Sequence, residues 1–123
     1  MMHPDTYLQA RRSADHHLQV QIEIVRMPPV FPGQASIEAR VGSVFVGDKS
    51  LMGRTVEFEV STLRRRDEMP TDAILWVFAE GLVPGAWLEV FLNGNPPRCN
   101  VALWQNDLIA GPTERPTMSL SQF

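Results

Sequence analysis

The residue types that most often act in catalysis or bind metals are rarely grouped with one another in this chain. The histidines are an example. All three lie in the first 17 residues, and two of them adjoin in Asp15-His16-His17. Neighbouring residues of a strand point to opposite faces, so His16 and His17 do not readily share one metal ion, and no further ligand stands near them. We therefore predict solvated histidines at the start of a strand and no metal site.

Cys99 is the only cysteine of the chain, and it lies between Arg98 and Asn100. An arginine neighbour can lower the pKa of a thiol, but a cysteine nucleophile also needs a base, and every histidine is in the N-terminal segment. We predict a packed or incidental thiol. The sequence also lacks a phosphate loop, a dinucleotide fingerprint and a G-x-S-x-G elbow. We accordingly predict no catalytic residue and no cofactor.

Three glutamates are the remaining candidates for acid–base chemistry. Glu57, Glu59 and Glu89 project from strand faces that the alternation of apolar and polar residues predicts to be solvent-exposed. Two of them could form a carboxylate pair across strands. No feature of the sequence pairs them, so the expectation of no catalytic residue stands.

Aromatic side chains offer a candidate ligand-binding surface. Trp87 and Phe91 lie on the same face of a predicted strand as Glu89, which suggests an exposed aromatic ledge on which bases or sugars could stack. The alternative is that both rings are covered by the proline-rich loop or by the N-terminal segment. Trp104 precedes the polar run Gln-Asn-Asp, and we expect it at the mouth of a barrel.

The most charged part of the chain is a second candidate. Three consecutive arginines at residues 64–66 are of the type that bind phosphates, but Asp67 and Glu68 follow them and partly cancel their field. A solvated loop or a distorted helical turn is the simpler interpretation. The candidate binding residues of the whole chain are Trp87, Phe91, Arg64, Arg65, Arg66 and Trp104.

Composition limits the classes of partner and the location. The 123 residues suit one domain, and 11 basic against 14 acidic residues give a net charge of -3. That charge provides no general attraction for nucleic acid or for an anionic membrane. No apolar run approaches the ~20 residues that cross a bilayer, and the N-terminus lacks the apolar region of a signal peptide. With one cysteine and no internal disulfide, we predict a cytoplasmic protein.

Apolar residues recur with a period of two along most of the chain, which is typical of strands with one buried face. Residues 36–61 are the most regular part, two strands around a glycine-bounded loop, and Gly42-Ser43 marks a bulge or bend in the first. Residues 73–79 are apolar throughout, which predicts a central strand covered on both faces. Six strands are predicted, over residues 18–26, 37–46, 55–60, 73–79, 86–92 and 101–109.

Two aromatic residues are predicted to share the core. Phe58 is the central apolar residue of the strand at 55–60, and Trp76 is the midpoint of the apolar run. Consecutive strands are commonly neighbours, and the connection between these two is short enough for an antiparallel return.

The chain divides into an N-terminal segment, one domain and a tail. Residues 1–17 are polar and mixed, and they form either a short helix or a disordered segment. Residues 18–111 contain all six predicted strands, and residues 112–123 are predicted to be a loose tail. Little helix and loops rich in proline and glycine predict an all-β fold, either a small β-barrel or a six-stranded β-sandwich.

Three stretches of the sequence resemble a known class of barrel. The pattern V-x-x-V-F-x-G at residues 41–47 is followed by a loop and by G-x-x-V-x-F-x-V at residues 53–60, and L-V-P-G-A-W-L-E-V-F-L occupies residues 82–92. Together they resemble the opening hairpin and a later strand entry of OB-fold barrels of the netrin-module type, which include the tissue inhibitors of metalloproteinases. The resemblance implies a single OB-like barrel of five to six strands.

Two departures limit what this resemblance implies. Inhibition in that family uses an N-terminal cysteine and disulfides, whereas this chain begins Met-Met-His and contains Cys99 alone, so the activity is not carried over. The helix that usually lies between the third and fourth OB strands is also missing, because residues 80–85 have room only for a turn.

From these observations we expect a non-catalytic binding or interaction domain, with an unidentified protein or small ligand as its partner. Single-stranded nucleic-acid binding is the first alternative, because aromatic and arginine side chains bind bases and phosphates, although the net charge is unfavourable. A small hydrolase or metal-dependent enzyme that uses His16, His17 or Cys99 is the second.

Overall fold

The computed structural model describes residues 3–68 and 75–120 of the chain. In these residues one helix precedes six strands, and single 3₁₀ turns lie in the connections. The elements are α1 (Pro4–Ser13), β1 (His16–Arg26), β2 (Gly33–Val46), β3 (Thr55–Leu63), β4 (Val77–Phe78), β5 (Trp87–Asn93) and β6 (Asn100–Ile109), with 3₁₀ turns at Lys49–Leu51, Arg66–Glu68 and Ala79–Gly81. None of the described helical segments has the length and apolar composition that crossing a bilayer requires.

The six described strands belong to one sheet, in the order β4-β3-β2-β1-β5-β6. Antiparallel ladders join β2 to β1 and β3, and β5 to β1 and β6, whereas β4 pairs parallel to β3. The sheet curls into a small, nearly closed barrel. The predicted all-β barrel is therefore confirmed, and a single sheet excludes the alternative of two packed sheets.

The first strand pair is long and bent. β2 has 14 residues, and its register against β1 shifts at three places. At one of them Gly42 lies between two β2 residues that pair with Gln19 and Val20, so it is the extra residue of a bulge, as predicted. Bulges bend a strand and increase its twist, which allows the sheet to curl.

A short bridge closes one end of the barrel. The backbone N–H of Glu57 in β3 donates to the carbonyl of Pro97 (2.7 Å), and the N–H of Cys99 donates to the carbonyl of Glu57 (2.9 Å). This parallel bridge joins β3 to the residues just before β6. Further along, β4 occupies the same edge of β3. β4 and β6 are thus the two ends of the strand order, and no ladder joins them within the described residues.

Alternating apolar side chains fill the barrel interior. Phe58 is only 4% exposed and belongs to this core, as predicted. The large buried side chains of the core include Leu18, Ile22, Ile37, Phe58, Leu88 and Leu92. The inward faces of β1, β2, β3 and β5 are therefore largely those that the period of two predicts.

Residues 73–79 do not form the central strand that their composition predicts. Residues 73 and 74 lie outside the described residues, and of the others only Val77–Phe78 is a strand, at one end of the sheet. Trp76 is half-buried and lies outside the core cluster around Phe58, so the prediction of a shared core is wrong. An apolar run shows that side chains avoid water, but it does not determine which neighbours cover them.

Residues 113–120 lie against the barrel and do not form the predicted loose tail. Backbone N–H groups of three tail residues donate to side chains of β1 and β5. Two arginines of α1 also hold the tail, because Arg11 and Arg12 donate to the carbonyl oxygens of Ser119 and Leu120, at 2.7 and 2.8 Å. A composition of small polar residues predicts little apolar burial, but it gives no information about hydrogen bonds to distant strands.

Replacing Phe58 with alanine should lower the free energy of unfolding by about 3–5 kcal/mol, because the change leaves a cavity in the barrel core. Glu59→Ala, at the next position on the exposed face, should cost about 0.5 kcal/mol or less. Trp76→Ala should cost less than Phe58→Ala, since Trp76 is half-buried. Denaturant unfolding of the three variants measures these losses. A larger loss for Glu59→Ala than for Phe58→Ala would show that the two faces of β3 are reversed.

Candidate functional site

The outer face of β2 and β3 carries an open groove of about 640 Å³, which reaches the loop before β6. This volume lies within the range of ligand sites, about 300–1,000 Å³. The residues that give the groove its polar lining are Arg26, Ser36, Glu38, Glu57, Glu59, Arg98 and Asn100. Three carboxylates against two guanidinium groups make it acidic, and we call it the acidic groove.

Two glutamates oppose each other in the acidic groove. Glu38 on β2 is the direct register partner of Glu57 on β3, and the Cβ atoms of such pairs are about 4.5–5.5 Å apart. Arg26 compensates one of them, with its Nη1 at 3.4 Å from Glu38 Oε1. Glu57 and Glu59 take part in none of the ion pairs found among the described residues. Arg98, the bridge partner of Glu57, lines the same groove, so three carboxylates face two guanidinium groups and leave a net negative charge that a cationic ligand would offset.

Cys99 lies at the edge of the acidic groove but is not available for chemistry there. It is 7% exposed, so the prediction of a packed thiol is confirmed. Burial, together with the negative charge of Asp15, raises the pKa of the thiol. Its sequence neighbour Arg98 lines the groove and does not reverse this effect.

A second polar cluster lies on the outer face of β1 and β5, where α1 and residues 113–119 cover it. Its centre is Glu89, which is fully buried together with Gln19. The carboxylate of Glu89 accepts hydrogen bonds from His17 Nε2 (2.8 Å), Gln19 Nε2 (2.9 Å), Thr117 N (2.8 Å), Thr117 Oγ1 (2.9 Å) and Met118 N (2.9 Å). The solvent exposure predicted for Glu89 is wrong, because alternation within a strand carries no information about a distant segment that covers it.

These contacts set the protonation states in the cluster. Burial by itself would raise the pKa of Glu89, but the hydrogen bonds donated to its carboxylate outweigh burial and lower the pKa. Burial also lowers the pKa of His17, although the hydrogen bond to Glu89 opposes this. Near neutral pH Glu89 is therefore ionised, and His17 is neutral and donates from Nε2.

The predicted aromatic ledge does not form. Phe91 is fully buried, and its ring stacks on that of His17 with 3.8 Å between centroids, beneath α1. Trp87 is half-buried, and its ring lies over Gly42, where an added Cβ would meet ring atoms at 2.6 Å. For Phe91 the alternative, a ring covered by the N-terminal segment, is the one observed.

The arginine loop, residues 64–66, pairs with acidic residues that follow it. Its three arginines, Arg64, Arg65 and Arg66, are all exposed. Arg64 lies over the ring of Phe31, 4.8 Å from its centroid, and pairs with Glu68 at 3.2 Å. Arg65 pairs with Asp67, with 3.4 Å between Arg65 Nε and Asp67 Oδ1. Acidic neighbours therefore reduce the charge of this loop, as the sequence predicts.

Trp104 lies in a separate cleft between β4 and β6, where Trp76 lines the other side, and we call this the tryptophan cleft. Leu103 and Trp104 have φ angles of 41° and 58°, a left-handed conformation that residues other than glycine rarely adopt. They fall within a bulge of β6, where the register against β5 shifts. Such a bulge redirects side chains, and the indole of Trp104 lines this cleft.

The histidines have structural partners. His3 caps α1 by accepting from the N–H of Asp5, and His16 Nε2 lies 2.9 Å from the carbonyl of Gly94. His17 is 1% exposed, so the expectation of a solvated side chain is wrong for it. Within residues 3–68 and 75–120 no three potential metal ligands group together.

None of the six predicted binding residues lines the acidic groove. The residues that sequence analysis missed include Arg26, Glu38 and Arg98. Glu38 and Glu57 face each other because of the register of the β2–β3 hairpin. The glycine-bounded loop in the sequence indicates that register only approximately. Alternation places each glutamate on an outward face, but only the ladder brings them together.

No model of a known protein family matches the chain, and no curated protein shows significant similarity to it. The netrin-type resemblance therefore has support only at the level of a small all-β barrel. Evidence on function therefore comes from the geometry of the acidic groove and the tryptophan cleft.

Ending the chain after Pro112 should lower the melting temperature by about 5 °C or more, because it removes donors that satisfy the buried carboxylate of Glu89. Glu89→Gln in the full chain should cost about 2–4 kcal/mol. Both changes weaken the same network of hydrogen bonds, so their combined loss should be smaller than the sum. Glu114→Gln, an exposed change in the same tail, is the matched control. An unchanged melting temperature after truncation would show that the tail does not support Glu89.

The free energy of unfolding should fall as the pH drops below about 6.5, the ordinary pKa of histidine. The folded pKa of His17 is depressed, so the unfolded state binds the proton more readily and acid favours unfolding. The contribution of Glu89 is complete above about pH 4.5 and is lost as the pH falls through its lowered folded pKa. His17→Gln should flatten the curve in the upper part of this window. Denaturant unfolding at several pH values measures it, and an unchanged slope in His17→Gln would contradict the assignment.

Proposed function

We propose that this protein is a non-catalytic binding domain and that the acidic groove is its binding surface. One observation carries the proposal: Glu38 and Glu57 oppose each other in an open groove that holds more carboxylates than guanidinium groups, so a further cation would stabilise it. Glu59 adds a third carboxylate on the same face. The ligand that fits best is a basic segment of a partner protein, because lysine and arginine side chains supply mobile cations with hydrogen-bond donors.

We infer in addition that the barrel is of the OB type. With β4 regarded as an addition, the strands follow one another around the barrel as β1-β2-β3-β6-β5, and the bridge between β3 and the entry to β6 is parallel. OB folds bind ligands on the face of their second and third strands and with the loop between their fourth and fifth. The acidic groove lies on β2 and β3 and reaches the β5–β6 loop, the corresponding position.

The alternatives have less support. Phosphates of a nucleic acid need cationic partners, whereas the groove is acidic, and Phe91, one of the two rings proposed for stacking, is fully buried. An enzyme that uses Cys99 or His17 would need a group exposed to substrate, and both are buried. The cytoplasmic location stays a prediction from the sequence.

Fluorescence anisotropy tests the proposal with three labelled probes: an arginine–glycine repeat peptide, the same peptide with glutamate for arginine, and an oligothymidylate. We expect only the basic peptide to bind, more tightly at low ionic strength than at physiological salt. Glu57→Gln and Glu59→Gln should each weaken binding by about 2- to 5-fold. The backbone bonds that close the barrel at Glu57 do not involve its side chain, so this variant should keep its fold.

Glu114→Gln is the matched control, because it makes the same change at an exposed glutamate of the tail. It should bind the basic peptide like the wild type. Equal affinity in all variants would remove the groove as the binding surface. Tighter binding of the oligonucleotide than of the basic peptide would overturn the proposal in favour of nucleic-acid binding.

A further inference from the structure

The tryptophan cleft has a volume of about 360 Å³ and lies between the two strands that end the sheet order. β4 with Leu75 and Trp76 forms one side, and β6 forms the other. The apolar side chains that line it are Leu75, Trp76, Val77, Phe78, Trp104 and Leu108. Two of them, Leu75 and Phe78, are 40% and 36% exposed, so the cleft continues into an apolar patch on the surface.

Two residues that line this cleft each hold a buried polar atom with no hydrogen-bond partner among the described residues. Trp76 Nε1 is a donor, and Asn106 Oδ1 is an acceptor. The orientation of the Asn106 amide follows from its Nδ2, which donates to the carbonyl of Trp104 at 3.2 Å and leaves Oδ1 free. Buried polar atoms in folded proteins are nearly always hydrogen-bonded. A free donor and a free acceptor in one apolar cleft indicate a ligand that presents one acceptor and one donor.

The backbone on both sides of the cleft favours an extended peptide as this ligand. β4 and β6 each have an edge to which no described strand is paired. Such edges add extended segments of other chains through main-chain hydrogen bonds. Across one trans peptide bond of an extended chain the carbonyl and the N–H point to opposite sides, so a segment between the two walls can accept from Trp76 and donate to Asn106.

We propose that the tryptophan cleft binds an extended segment of a partner protein, with an apolar residue held between Trp76 and Trp104. The carbonyl of the segment accepts from Trp76 Nε1, its N–H donates to Asn106 Oδ1, and its side chain is buried against the apolar walls. Glu80 and Asp107 also line the cleft and repel carboxylates and phosphates, so the segment is neutral or basic. This site is distinct from the acidic groove and does not depend on its function.

The first test uses a phage-displayed library of random short peptides, panned against the immobilised full chain. Enriched sequences are synthesised with blocked ends, and their affinities are measured by calorimetry. We expect apolar sequences without acidic residues. Trp76→Phe, which removes the indole N–H and keeps an aromatic ring, should weaken their binding by about 3- to 10-fold. Trp87→Phe is the matched control outside the cleft and should bind like the wild type.

The second test addresses the acceptor. N-methylation of each backbone amide of a selected peptide, one at a time, should reveal one position where the affinity falls by about 3- to 10-fold. The same methylation should cost nothing further in Asn106→Ala, because the two changes remove one hydrogen bond. Asn106→Ala also keeps the proposal testable where Trp76→Phe fails to fold, and melting curves of both variants separate lost binding from unfolding.

Several outcomes would overturn the proposal. They are the failure of any sequence to enrich, equal affinity in Trp76→Phe and Trp87→Phe, and a methylation scan with no sensitive position. Peptides that lose binding in Glu57→Gln but not in Trp76→Phe occupy the acidic groove, which overturns the cleft as a site and leaves the proposed function standing. A dimer in sedimentation that dissociates in Trp76→Phe assigns the cleft to a second copy of this chain.

Discussion

A buried, ionised carboxylate determines how the outer layer of this barrel is built. Glu89 is fully buried. A buried charge without hydrogen-bond partners is unstable, so the donors to Glu89 must be present whenever the tail covers it. The tail supplies three of the five hydrogen bonds, and β1 supplies the other two. Arg11 extends the connection to α1, since it donates to Gln105 in β6 and to the carbonyl of Ser119. The helix, the tail and one face of the barrel therefore form one unit.

The same edge of β3 produces two surfaces of different chemistry. At one end the backbone of Glu57 pairs with the loop before β6, and the side chain of Glu57 faces the acidic groove. At the other end β4 takes the place of direct pairing between β3 and β6, and an apolar cleft remains. Along its free edge, β3 therefore pairs first with the loop before β6 and then with β4. The position of this change determines how the barrel closes and what shape both candidate sites have.

The two surfaces agree in the charge that they favour. Carboxylates line both the acidic groove and the tryptophan cleft, and the chain as a whole carries a net charge of -3. A basic protein segment satisfies both, whereas a phosphate-bearing ligand satisfies neither. The proposed binding domain is accordingly one that discriminates by charge and holds its partner by apolar contact and by backbone hydrogen bonds.

The sequence by itself determined which residues of each strand share a face. The inward positions around Phe58, the bulge at Gly42 and the packed thiol of Cys99 followed from alternation, from a glycine within a strand and from the lack of a nearby base. These are properties of a few consecutive residues, so a local pattern is sufficient to predict them.

Only the tertiary structure decided what covers each face and which residues meet there. Glu89 is buried by Thr117 and Met118, 28 and 29 residues further along the chain, and no pattern within β5 indicates them. The apolar run around Trp76 does not form the predicted central strand, because β1, β2 and β5 occupy the middle of the sheet. The opposition of Glu38 and Glu57 likewise needed the register of two strands. Alternation describes one strand, whereas burial and charge in a site depend on contacts between segments that are distant in sequence.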